Sequence, residues 1–314
     1  MRAVTYTEFG GIDKLRMAER PMPKIGPLSV LVKVVSASIN PVDFQIREGL
    51  EQEYLQTQFP ISPGLDVAGV VVRLGADTPE FQIGDEIIGH AMKDVVTYGT
   101  LAEYVELPVR SAAHKPAALS FDEAATLPLA SQTALQSVDR AAITSADTVL
   151  IHGAAGGVGV FGTQIAVRTG ARVIGTASPR NHDFLRSFGA EPIDYRENLV
   201  AVARAAAPDG YDVVLDYAGR SSLASTPHLL RDGGRVVSIA DPDAREVYGG
   251  HFVWLRPNTA DLNRVAQMVA DGDVKVEIAA IYDLPEFADA FTALQSGTSR
   301  GKIVVRVGQP FLDE

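Results

Sequence analysis

The sequence predicts an α/β protein, β-rich in its first part and built on a doubly wound parallel sheet in its second. Two textures and one turn predict this. Up to about residue 120, Val- and Ile-rich stretches bounded by Pro or Gly follow one another, which favours strands. From Asp147 onward, short apolar stretches alternate with helical ones that carry Ala and Arg, the pattern of βαβ units in a parallel sheet. After the first of these lies the cluster HGAAGGVG (His152 to Gly159), where a strand runs into a helix.

Taken in order, LSVLVKVVSASIN (Leu28 to Asn40), DVAGVVVRLG (Asp66 to Gly75) and FQIGDEIIGH (Phe81 to His90) read as strands. No stretch of helical period occurs before about Asp122. Asp122 to Arg140 is helical in character, with Pro128 a break between two helices. DTVLIH, ARVIGTA, YDVVLDYAG and GGRVVSIA then give strands starting near 147, 171, 211 and 233. Between them run helical stretches such as Val158 to Thr169 and Asn181 to Phe188; a further helix is expected at Ala260 to Asp271 and a last strand at Gly301 to Val307.

Composition narrows the function. The chain has 314 residues, 46% hydrophobic and 21% charged, an ordinary globular composition for about two domains. A net charge of −11 argues against nonspecific binding to nucleic acid or an anionic membrane, while leaving room for a local basic pocket. There is no cysteine, which removes disulfides, thiol nucleophiles and cysteine-based metal sites. No signal-peptide pattern opens the chain and no apolar run reaches the roughly 18 residues of a spanning helix. The expectation is a cytoplasmic protein with a small-molecule substrate.

The glycine cluster is the strongest local signal. At a strand-to-helix turn, free backbone N–H groups and the helix dipole make an anion site. A side chain at Gly156 or Gly157 would hold a pyrophosphate off the backbone, and Gly159 lets the helix pack close to the strand. A purely structural βα turn uses similar residues; the strand before, the helix after and the second strand beyond favour the nucleotide. NAD sites place an acidic residue near the end of that second strand, about 20 residues past the glycines. Here ARVIGTA runs into Ser178, Pro179, Arg180 and Asn181, and the first carboxylate, Asp183, lies further on. A hydroxyl, a guanidinium and an amide suit a 2′-phosphate, so NADPH is preferred over NADH. Ser178 and Asn181 also suit helix capping, and that alternative stays open.

Several stretches together resemble the medium-chain dehydrogenase/reductase superfamily, and within it the zinc-free NADPH:quinone oxidoreductase (zeta-crystallin-like) branch. They are INPVDFQIREG (Ile39 to Gly49), PGLDVAGVVVRLG (Pro63 to Gly75), FQIGDEIIG, GTLAEYVELP (Gly99 to Pro108), LPLASQTALQSV (Leu127 to Val138), HGAAGGVGVFGTQIA and RGKIVV (Arg300 to Val305). They span nearly the whole chain. The resemblance implies a GroES-like catalytic domain, residues 1–120 with 281–314, and a Rossmann domain of six parallel strands, residues 121–280, with the active site in the cleft between them. The last strand would then return to the first domain. Where zinc-dependent relatives carry a ligand histidine this chain has Leu65, and its histidines (90, 114, 152, 182, 228, 251) lack metal-site spacing, so no catalytic zinc is expected.

The resemblance also implies site residues. Asn40 would sit beside the nicotinamide as a hydrogen-bond partner of cofactor or substrate; as a turn residue before Pro41 it would have only a local role. Asp43 is assigned to local structure. Gln45 stands where several relatives have a cofactor-contacting lysine, which puts that contact in doubt. Thr133 would reach the cofactor from its helix; Gly156, Gly157, Val158 and Gly159 would line the pyrophosphate; Ser178, Arg180 and Asn181 would face the 2′-phosphate. Ala154 replaces the first glycine of the common fingerprint, as is usual in this branch. Tyr195 would lie on the adenine side unless it is a core aromatic, and Ala218 and Ile239 near the nicotinamide. Phe252 and Trp254 would form a pocket wall or dimer contact, and Arg300 and Lys302 would reach the cofactor from the tail unless they are solvated charges. The implied reaction passes hydride from NADPH to a quinone or α,β-unsaturated carbonyl, in a homodimer. Enoyl-thioester and alkenal reductases share the fold, and a non-catalytic NADPH-binding protein is the reading from another class.

Overall fold

The computed structural model describes residues 1–219 and 221–309. They form two compact units: Met1–Leu129 with residues 257–273 and the chain from Ile278, and Ala130–Arg256 with Val274–Glu277.

The first unit is organised on β1 (Ser29–Ile39), eleven residues that alternate too little to face water and are buried at all but one position. Apolar residues on both faces make a strand fit for the middle of a core. The chain then forms a helix that apolar periodicity does not announce, α1 (Pro41–Glu48). Eight residues are too few for a period to show, but both ends are marked. Pro41 occupies N1, Asp43 Oδ2 accepts the Asn40 N–H at 2.7 Å, and Gly49 closes the helix at φ 80°. Next come β2 (Asp66–Leu74), β3 (Glu86–His90), β4 (Tyr104–Pro108) and β5 (Ala112–His114). β2 runs antiparallel to β1 along one edge, β4 pairs with its first half on the other, and β3 and β5 extend the sheet beyond β2.

In the second unit, α2 (Ala130–Ala141) leads into β6 (Thr148–His152), α3 (Gly157–Arg168), β7 (Arg172–Thr176), β8 (Glu191–Ile193), β9 (Tyr211–Asp216), β10 (Leu230–Ser238) and β11 (His251–Phe252). These strands make a parallel sheet in the order β8-β7-β6-β9-β10-β11. Counted from β6 the order is third, second, first, fourth, fifth, sixth: the chain winds out one way, returns to the middle and winds out the other. That reversal leaves a crevice at the carboxyl ends of β6 and β9, where such sheets bind ligands. Leu150, Ile174, Val214 and Val236 place one core under this sheet.

The chain then rejoins the first unit. Helix α4 (Thr259–Ala270) belongs there, since Thr259 Oγ1 donates to Val109 O at 3.1 Å. The unit border therefore differs from the expected 121–280 segment. After β12 (Ile278–Asp283), β13 (Lys302–Arg306) pairs antiparallel with the second half of β1, Ile303 opposite Ile39. This pairing sets Lys302 next to Asn40, far apart in sequence.

Candidate cofactor and active site

In the second unit the candidate residues gather along one edge. Gly156 to Gly159 follow β6, Ser178 to Asn181 follow β7, Ala218 follows β9, Ile239 follows β10 and Phe252 ends β11. All lie at carboxyl ends of parallel strands.

The turn after β6 is fixed from below. Gly153 N donates to Thr176 Oγ1 at 3.1 Å, Ala154 N to Thr176 O at 3.2 Å, and Thr163 Oγ1 reaches Ala154 O at 3.3 Å. Gly159 is demanded by this packing: a Cβ there would stand 2.1 Å from Gly153 O and 2.7 Å from Ala154 C. Gly156 is a different case. A Cβ there would meet only Gly153 O, at 3.3 Å, and its φ of −77° suits any residue. Gly156 is the N-cap of a twelve-residue helix and supplies no side-chain cap. The first-turn N–H groups of α3 have no acceptor within the helix. An uncapped helix start at a strand end, open where a Cβ would fill it, fits a dinucleotide pyrophosphate.

The turn after β7 holds Ser178, half-buried, Arg180, exposed, and Asn181, buried. Ser178 is N-cap of the short Pro179–Asn181 turn and Asn181 of the His182–Arg186 helix, yet neither side chain caps. Capping therefore does not account for these two side chains. Tyr195 is 51% exposed, which excludes a core aromatic. Ala218 lies against the glycine turn, its Cβ 3.5 Å from where a Cβ of Gly153 would be. The carboxylate of Asp216, missed in the sequence, shapes this corner: it accepts from Gly219 N and Ser222 Oγ, both at 2.9 Å, and from Ser238 Oγ at 2.7 Å. Phe252 stacks edge-on to Trp254, with ring centroids 6.5 Å apart. On α2, Thr133 is buried and its Oγ1 has no hydrogen-bond partner among the described residues.

In the first unit, Asn40 and Lys302 come together around a carboxylate the sequence did not single out, Asp66. Asn40 Nδ2 donates to Asp66 Oδ2 at 2.8 Å, and Ser38 Oγ to the same oxygen at 3.0 Å. His90 Nδ1 lies 3.2 Å and Leu129 N 2.9 Å from Asp66 Oδ1. Lys302 Nζ donates to Asn40 Oδ1 and to Ile39 O (3.2 Å) and pairs with Asp66 Oδ2 at 3.6 Å. Burial pushes the Asp66 carboxyl up, but the hydrogen bonds from His90 and Asn40 and the charge of Lys302 bring it below its ordinary value. Burial lowers the Lys302 ammonium, opposed by Asp66 and Asp43. Burial raises Asp43 to about 7, with its Oδ1 unpartnered among the described residues. Gln45 is half-buried on α1, and Arg300 is exposed just before β13. A lone Asp at the start of an apolar strand was the available signal for Asp66; its partners lie too far along the chain to reveal it.

A doubly wound nucleotide-binding sheet joined to a GroES-like β unit is the architecture of a pyridine-nucleotide oxidoreductase. An alcohol dehydrogenase GroES-like domain pattern matches residues 26–117, and a zinc-binding dehydrogenase pattern matches residues 188–305. The chain is 35% identical to a 2-methylene-furan-3-one reductase of Solanum lycopersicum, over 97% of this chain and 79% of that one. It is 34% identical to an NADPH-dependent alkenal/one oxidoreductase, chloroplastic, of Arabidopsis thaliana, over the same shares. A solved quinone oxidoreductase from Coxiella burnetii superposes with a TM-score of 0.90 at 33% identity, covering 98% of this chain and 99% of that one. The chain belongs to the medium-chain dehydrogenase/reductase superfamily, in its quinone oxidoreductase branch. One family description mentions zinc; among the described residues no three His, Asp or Glu side chains converge as metal ligands do.

Proposed function

We propose that this chain is an NADPH-dependent reductase of quinones and α,β-unsaturated carbonyls that works without zinc. The observation that carries the reading is the uncapped start of α3 beside the carboxylate-free turn after β7. When bound, NADPH supplies the hydride. Gly157, Val158 and Gly159 would offer backbone N–H groups to the pyrophosphate, with Gly156 leaving the approach clear. Ser178, Arg180 and Asn181 would hold the 2′-phosphate by charge-assisted hydrogen bonds, and Tyr195 would cover the adenine. Thr133 Oγ1, buried and unpartnered among the described residues, suits a ligand polar group. Asn40 would direct an N–H at the nicotinamide amide or the acceptor carbonyl, with positioning contributing much of the rate. Quinones and enones suit such a site because reduction gives resonance-stabilised products that need no strong Lewis acid. A cytoplasmic location and a homodimeric state, expected from the sequence and the resemblance, are proposed with it.

The test follows NADPH absorbance with 1,4-benzoquinone, 9,10-phenanthrenequinone and a simple enone. Oxidation of NADPH with at least one of them, faster than of NADH, is expected. Tight NADPH binding with no oxidation by any acceptor would sink the enzyme reading and leave a nucleotide-binding protein.

A further inference from the structure

Lys302 is committed to partners inside the first unit. Its side chain is 4% exposed. Two of its N–H bonds go to Ile39 O and Asn40 Oδ1, and the ammonium pairs with the Asp66 carboxylate at 3.6 Å. An ammonium is costly to bury, even when paired, compared with an apolar residue of similar volume. Its place opposite Asn40 suggests what it supplies instead.

The Asn40 amide lies between two opposite charges. Its oxygen accepts from the Lys302 ammonium and its nitrogen donates to Asp66. Flipping the amide would set its NH2 against the ammonium and its oxygen against the carboxylate, two repulsive contacts in place of two hydrogen bonds. Asp66 is itself held by Ser38, His90 and Leu129 N, so the carboxylate cannot turn to follow a flipped amide. The second Nδ2–H of Asn40 has no hydrogen-bond partner among the described residues. Donation to a carboxylate on one side and acceptance from a cation on the other polarise the amide and fix that N–H in direction.

We propose that Lys302 is a positioning residue: with Asp66 it locks the Asn40 amide in one orientation, so that a single N–H is presented for the reaction. This rests on the proposed function, which puts Asn40 at the reacting groups. It moves Lys302 from a cofactor contact to a group acting through Asn40.

A double-mutant cycle between Lys302 and Asn40 tests it, read as kcat with a quinone and an enone and as NADPH Kd by fluorescence. Lys302→Met alone should lower kcat roughly tenfold to a hundredfold, the range of one charge-assisted hydrogen bond. NADPH Kd should change less than about threefold, since the contacts displaced are those to Ile39, Asn40 and Asp66. Asn40→Ala should lower kcat at least as far, and adding Lys302→Met to it should cost less than about twofold more. An undiminished further loss in the Asn40→Ala background overturns the proposal. So does NADPH binding weakened tenfold or more in both backgrounds, which would make Lys302 a cofactor contact after all. If Asn40→Ala leaves kcat unchanged, the placement of Asn40 fails first and takes this inference with it. Because Lys302→Met strands the Asp66 carboxylate, the double variant Lys302→Met/Asp66→Asn runs alongside, its fold checked by thermal unfolding. It should show the same loss of kcat; a normal kcat in the folded double variant overturns the proposal.

Discussion

Two glycines three residues apart should fail in opposite ways when replaced by alanine. At Gly159 the new Cβ would stand 2.1 Å from Gly153 O and 2.8 Å from Ala154 O. Both are backbone atoms of a turn tied to β7 through Thr176, so the turn or the helix must move. Overpacking of this kind costs about 1–3 kcal/mol or more, which lowers Tm by roughly 4–10 °C for a unit of this size. At Gly156 the new Cβ would find only Gly153 O at 3.3 Å and an ordinary φ, so the loss of stability should stay within about 1 kcal/mol. The methyl would nevertheless fill the space in front of the α3 N–H groups. Losing one charge-assisted hydrogen bond to a phosphate costs about 1.5–3 kcal/mol, roughly a tenfold to hundredfold rise in NADPH Kd. Thermal unfolding of the two apo variants, followed by NADPH fluorescence titration of each, separates the effects. Gly156→Ala binding NADPH as tightly as the parent would refute the cradle; Gly159→Ala unfolding at the parent Tm would refute the packing account.

Arg180→Ala should weaken NADPH at least tenfold and leave NADH nearly unchanged, and equal weakening of both would remove Arg180 from the 2′-phosphate. Asp43 titrates near 7 in the fold against 3.8 outside it because burial disfavours its charge. Its stability contribution is therefore present below pH 3.8 and lost as pH rises through 7. Asp43→Asn, which keeps an oxygen for Asn40 N–H, should gain on the parent by a few kcal/mol between pH 5 and 8 in urea unfolding; a constant difference would count against the buried charge. His152 runs the other way, held at about 4 by burial while Asp216 pulls it up, so its contribution is present above 6.5 and lost as pH falls through 4. His152→Leu should blunt acid destabilisation in that window, and an unchanged acid limb would show that His152 is not its source.

The parts of the fold legible in the sequence are those where one pattern runs for several residues. DTVLIH, ARVIGTA and YDVVLD are parallel strands whose central residues are apolar and buried because both faces of the sheet are covered. Short elements escape for physical reasons. The strand Glu191–Ile193 is three residues with a proline in the middle, tolerable only because β8 is an edge strand, and Pro192 argues against reading it as one. Helix α1 offers caps in place of periodicity. For the site, the glycine turn is legible because the phosphate chemistry lies in consecutive backbone groups. The Asn40–Asp66–Lys302 cluster is not, because its members are 26 and 262 residues away from Asn40 and meet only through β-sheet register.

What separates function from structure here is the breaking of local rules at places the fold already marks. A buried lysine, an uncapped long helix and an unpartnered buried hydroxyl each work against stability. Breaking a rule is not enough by itself, for Tyr6 Oη and Arg47 Nη1 are also buried and unpartnered among the described residues. Those two lie in the core around Phe59 and Phe291, and neither is at the end of a strand of the parallel sheet. Gly156 sits at the topological reversal of a parallel sheet, and Lys302 meets Asn40 where the last strand is laid against the longest one. There a residue that costs stability has a reason to be kept. The Gly156 and Lys302 variants bear on that reasoning directly, since each should lower binding or kcat more than it lowers Tm.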